Sequence, residues 1–91
     1  MPKVHELKLL EYICDDVLTG RKTFEIRQND RLFQTGDLIK FKPVYSDGVS
    51  YMHPVADFTF KITYVASGFG LKDGYVVLGI QKQRIYAKEK K

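Results

Sequence analysis

Gly20-Arg21-Lys22-Thr23-Phe24-Glu25-Ile26-Arg27 is the stretch on which the reading of this chain turns. It reads as a helix stop followed at once by a strand. Glycine enters the left-handed region without the steric cost a side chain brings, and helices often end on such a residue. Two cations, Arg21 and Lys22, follow near the negative end of the helix dipole. Phe24 and Ile26 then alternate with Thr23, Glu25 and Arg27, the period of a strand with one buried face, and the apolar pair is expected inside. Parity raises a problem for the charges. Glu25 and Arg27 share a face, whereas Lys22 joins them only if it still lies in the turn after Gly20.

Working outward, the residues before the stretch predict a strand and then a helix. Leu7 and Leu9 alternate with Glu6 and Lys8 in a first strand over residues 3–9. Leu10, Ile13, Cys14, Val17 and Leu18 then fall at helical spacing, so residues 10–19 form the helix that Gly20 ends. No good N-cap residue marks its start. After the stretch, Asn29-Asp30 and Gly36-Asp37 predict a loop, with Phe33 pinning it to the core. A third strand runs from Leu38 to about Tyr45, and Pro43 argues for an edge or a bulge. Ser46-Asp47-Gly48 reads as a hairpin turn, and His53-Pro54 as a break. Phe58, Phe60, Ile62 and Tyr64 alternate with polar residues in the clearest strand. Tyr75–Ile80 is a continuous apolar run, consistent with a strand covered on both faces.

The expected fold is therefore mainly β (α+β): a small barrel of five to six strands with one N-terminal helix. Closure would remove the sheet edges. Residues 1–86 form one domain, and Ala87–Lys91 a basic flexible tail. The formal charge is +4, of which the tail supplies +2, so the body is only mildly basic and a nucleic-acid partner needs a clustered patch. The single cysteine, Cys14, excludes an internal disulfide and lies on the apolar stripe, where a buried inert thiol is expected. His5 and His53 stand alone, without zinc-ligand spacing, so no metal and no cofactor are expected. No run approaches the ~18 apolar residues of a membrane span, and charges at Lys3, Glu6 and Lys8 leave no signal-peptide core. A cytoplasmic monomer is expected.

Two places carry candidate chemistry. Lys22, Glu25 and Arg27 gather three charges at the junction of two elements; on residue types alone a solvated strand face is the commoner outcome. Gly68-Phe69-Gly70 could bring backbone close to a ligand while the ring stacks on it, or return Phe69 to the core. Tyr45, Tyr51 and Tyr75 flank turns and could stack on bases. Arg21, Arg31, Lys40, Lys42, Lys61 and Lys72 could each meet a phosphate or be a surface charge.

Gly20, Lys22, Glu25 and Arg27 also fill the pattern G-x-K-x-x-E-x-R, which resembles the signature of the ASCH domain in the PUA-like superfamily. The blocks around His5–Leu9, Asn29–Arg31, Phe33–Asp37 and Ser67–Val77 resemble a small ASCH-like family frequent in bacteria and their phages. The resemblance implies a PUA-like barrel whose motif lines a cleft between helix and barrel. It further implies an RNA-binding or modified-nucleoside-binding module, with Gly20, Lys22, Glu25, Arg27, Gly68, Phe69 and Gly70 at the ligand. One branch of that superfamily hydrolyses the acyl amide of N4-acetylcytidine, which makes an amidohydrolase the alternative, with Lys22 and Glu25 as candidate catalysts. Glu25 stands where that branch keeps its threonine nucleophile, Thr23 is displaced from it, and the distant glutamate has no counterpart. A protein-interaction module is the third reading.

Overall fold

In the computed structural model of the chain, which describes residues 2–83, strand and helix follow one another with almost no linker. The tail Ala87–Lys91, and Ile85 and Tyr86 before it, lie outside the described residues. Strand β1 (Val4–Leu10) buries His5, Leu7 and Leu9 on one face. Helix α1 (Glu11–Thr19) starts directly from it: Leu10 is extended at φ −67° and ψ 146° and gives no side-chain cap. Glu11 sits in the first turn, where the helix dipole favours an anion, and accepts bonds from the Ser46 backbone N–H and hydroxyl. Gly20 ends the helix in the left-handed region at φ 83°, as its position predicts. The helix turns Cys14 and Val17 into the core, with Ile13 and Leu18 packed beside them.

The remaining strands are β2 (Phe24–Gln28), β3 (Leu38–Val44), β4 (Thr59–Ala66) and β5 (Tyr75–Lys82). Their order in the sheet is β1-β3-β4-β5-β2. Only β1 and β3 are parallel, because the connection between them carries α1 and β2 and so returns in the same direction. The sheet curls into a half-barrel around the helix. Leu7 and Leu9, Ile39 and Phe41, Phe60 and Ile62, and Leu78 and Ile80 supply its inner face. A 3-10 turn at Pro54–Asp57 follows the expected break and drops Val55 into the same core.

Four sequence expectations need correction. First, the barrel is not closed by a ladder: β1 and β2 are edges, and side chains bridge the seam between them. The Arg27 guanidinium donates to the Lys8 carbonyl, and Arg31 Nη1 donates to the Glu6 carbonyl at 2.6 Å. The outward carbonyls of β1 are thus capped by arginines rather than by a strand, which blunts an exposed edge. Second, β2 is turned over. Glu25 lies inside at 4% exposure, while Phe24 and Ile26 face out at 43% and 51%. Third, β5 is covered on one face only, with Val76, Leu78 and Ile80 buried and Tyr75, Val77 and Gly79 half-exposed. Fourth, β3 is an interior strand, yet Pro43 is tolerated because pairing with β4 stops at Lys40. Beyond that point residues 49–51 fold back beside β3 instead, with a bridge from Val44 to Ser50 and the Tyr51 N–H donating to the Pro43 carbonyl, so no ladder asks for the N–H that proline lacks.

The loop over residues 29–37 is held by a buried polar knot. His5 Nε2 and Asp37 Oδ2 are 2.9 Å apart, and the N–H groups of Lys3 and Gln34 donate to the same carboxylate at 3.2 Å each. Phe33 packs edge-on against His5 at 4.7 Å, as a pinning residue should. Burial pushes the Asp37 carboxyl up, but the bonds from His5, Lys3 and Gln34 outweigh it and hold it below its ordinary 3.8.

Candidate binding cleft at the seam

Lys22 lies between α1 and β2, in the turn rather than in the strand, which is the condition its parity required. From there its ammonium reaches Glu25 Oε1 at 2.6 Å and the Phe24 carbonyl at 2.7 Å, and it sits 4.5 Å from the centre of the Phe24 ring. Arg27, two residues along the same face as Glu25, donates to Oε2 through Nε at 3.1 Å and Nη2 at 2.8 Å. Both carboxylate oxygens are therefore engaged, each by a cation. This explains why β2 can turn a glutamate inward: a buried charge is tolerated when it is paired and hydrogen-bonded.

The cations keep part of their surface. Lys22 and Arg27 side chains are 22% and 25% exposed against 5% for Glu25, so the charge left facing solvent is positive. They open onto a cleft of about 510 Å³ between the start of α1 and the rim strand β2. Leu10 and Ile13 wall one side, Phe24, Ile26 and Tyr75 the other, and Lys8 adds a further cation at the mouth. A second depression of about 380 Å³ continues past the seam between Glu6, Lys8, Arg27, Arg31 and Lys42. The arrangement can hold an anion beside a flat apolar group.

Gly20 closes the helix and takes no part in the lining of that cleft. Gly68, Phe69 and Gly70 do not line it either. Phe69 does not return to the core: it is 99% exposed and, like the glycines on both sides, has a positive φ, 54° against 78° and 87°. A non-glycine residue in that region is uncommon and places the ring at the tip of its turn. Tyr45 and Tyr51, considered for stacking on bases, stack on one another at 4.4 Å instead. Phe24, Ile26 and Lys8 were not singled out in the sequence. The signal for Phe24 and Ile26 is the β2 alternation, whose faces are exchanged relative to the expectation, whereas Lys8 comes from the outer face of β1 and has no local signal.

Cys14 is fully buried, and its thiol donates to the Leu10 carbonyl at 3.4 Å. Burial pushes that thiol up, and the contact with it, together with burial, pushes the neighbouring Tyr51 hydroxyl up to about 12. Neither group ionises near neutral pH, so this pair is structural. Among the described residues no cluster of three or more His, Cys, Asp and Glu side chains is placed to hold a metal ion. No helix among them is long and apolar enough to cross a membrane.

No curated protein matches the chain. Residues 4–80 match the family described as a domain of unknown function, DUF3850, and that span runs from the first residue of β1 to Ile80 near the end of β5. It takes in the motif turn, the rim strand and every residue of the seam cleft, and the chain belongs to this family.

Proposed function

We propose that this protein is a PUA-like module of the ASCH type that binds RNA or a modified nucleoside in the seam cleft. The observation that carries the reading is the paired state of Glu25. With both oxygens engaged, it fixes Lys22 and Arg27 in place and leaves them as preorganised donors on an otherwise apolar wall. Positioned cations supply phosphate affinity, and Phe24 and Tyr75 beside them supply flat surfaces for a base. The same pairing supports binding over hydrolysis. Two ion pairs stabilise the Glu25 carboxylate and make it a poor base toward water, and Thr23 is exposed outside the strand rather than in the lining of the cleft.

Titration with a short single-stranded RNA tests the reading. Lys22→Ala and Arg27→Ala should each weaken binding, and loss of one phosphate contact should lower the slope of log K against log salt by about 0.7. Removal of residues 87–91 should change little. Wild-type affinity in both cleft variants, verified as folded by circular dichroism, with affinity lost on tail removal, would refute it. On the same grounds, incubation with N4-acetylcytidine should release no cytidine above a Lys22→Ala control.

A further inference from the structure

The face of β2 that turned outward is continuous with its neighbours. Register places Phe24 opposite Gly79, and Gly79 opposite Tyr64, so the three share one row across β2, β5 and β4. The next row is Ile26, Val77 and Ala66, and the one after it begins with Gln28 and Tyr75. Phe24 and Tyr64 are 43% and 69% exposed. Between them Gly79 has no side chain, and no left-handed backbone explains its presence, since its φ is not positive. A Cβ there would meet Thr63 Oγ1 at 2.8 Å, at the irregularity where β4 shifts register between Ile62 and Tyr64. The result is a gap about two strand spacings wide, roughly 9–10 Å between backbones, with a ring on each side and the Thr63 hydroxyl beside the glycine on its floor.

Charge says what such a slot would face. Lys22 stands over the Phe24 ring, and Lys72 lies 6.0 Å from the centre of Tyr75. Across the seam, the outer faces of β1 and β3 place Lys8 directly opposite Lys42. Like charges opposite one another in a ladder are unfavourable unless an anion comes between them. Arg27 and Arg31 border the same depression, where Glu6 is the one carboxylate. Phe24 belongs to both the slot and the seam cleft, and the cleft meets the cationic depression at Lys8 and Arg27; rings followed by cations fit alternating flat bases and phosphates better than the apolar surface of a second protein.

We propose that the outer face of β4, β5 and β2 is a base-stacking platform for unpaired RNA, with one base held between Phe24 and Tyr64 above Gly79. The phosphate chain then runs over the seam toward Lys8 and Lys42. The proposal deepens the RNA reading of the cleft and rests on it for the class of ligand, but it uses residues the cleft does not: Gly79 and Tyr64 lie one and two strands away from the motif strand.

Fluorescence anisotropy with a labelled oligouridine of about ten nucleotides, with a duplex of equal length as comparison, tests it. Tyr64→Ala should weaken oligouridine binding about tenfold, within the range expected for loss of one stacked base, and Tyr64→Phe should restore it. Gly79→Val should displace the Thr63 hydroxyl, crowd the slot and weaken binding, with amide shifts unchanged away from residues 62–66 and 77–80 separating this from misfolding. Duplex should bind more weakly than single strand. Binding lost in Lys22→Ala but unchanged in Tyr64→Ala and in folded Gly79→Val would overturn the platform and leave the cleft reading standing. The reverse pattern would support the platform and overturn the cleft reading. No binding by the wild type overturns both, as does a concentration-dependent dimer that Tyr64→Ala disrupts while RNA has no effect.

Discussion

Strands β4 and β2 alternate apolar and polar residues alike, yet they face opposite ways. In β4, Phe60 and Ile62 lie inside at 2% and 0% exposure, as the pattern predicts, until the register shift after Ile62 turns Tyr64, of the same alternation, outward. In β2, the apolar Phe24 and Ile26 lie outside, and Glu25 lies inside at 4%. Alternation fixes the period of a strand but not which face is buried. The phase follows from where each side chain finds its best partner. Inside β4 stand α1 and β3, which offer Phe60 apolar contacts such as Phe41, 5.2 Å away edge to face. Inside β2 stand the turn cation Lys22 and the strand cation Arg27, which offer Glu25 what water would otherwise supply.

The comparison breaks or holds on a graded series of substitutions read by urea denaturation. Phe60→Ala should cost most, about 3–5 kcal/mol, because it leaves a cavity in a packed core. Glu25→Ala should come next at about 3 kcal/mol, the low end for breaking a buried pair, since Lys22 and Arg27 retain some solvent. Ile26→Ala should cost least, within about 0.5 kcal/mol, as a surface change does. Were Ile26→Ala as costly as Ile62→Ala, β2 would face as its apolar pattern alone suggests.

A second buried carboxylate sharpens the contrast. Asp37 is satisfied by His5 and by backbone N–H groups rather than by two cations. Its pKa is held below the ordinary 3.8, so its contribution is present above that value and is lost as pH falls through the lower folded-state value. Melting temperature should therefore drop in acid below about pH 4, and Asp37→Asn should flatten that limb while lowering stability at pH 7 by about 1–3 kcal/mol. An acid limb unchanged in Asp37→Asn would remove Asp37 as its cause.

Much of the architecture was legible because it rests on local chemistry. Gly20, with no neighbour to constrain it, ends α1 where its conformational freedom allows. Leu7 and Leu9, Phe60 and Ile62, and Phe33 are buried as their spacing or isolation predicts. What escaped was long-range. The capping of β1 by Arg27 and Arg31 joins residues 19 and 25 positions apart, and nothing near an arginine in sequence shows which carbonyl it will meet. The open outer face of β5 likewise depends on no element packing there, which a run of apolar residues cannot reveal. At the site, the charged triad was legible in the motif, whereas the wall of Phe24 and Ile26 depends on the phase of β2, and Lys8 on the meeting of β1 with β2 across the seam.

In the proposed function, ligand meets the protein at the seam, where the turn cation Lys22 and the β2 cation Arg27 stand beside rings from the outer face. The most direct test is a map of amide chemical shifts as a short single-stranded RNA is added to isotope-labelled protein. Shifts should concentrate at residues 22–28, at Lys8 and at Tyr75, which line the cleft. Shifts confined to the turns around Val49, Met52 and Phe69, none of which lines the cleft, with residues 22–28 unmoved, would contradict it.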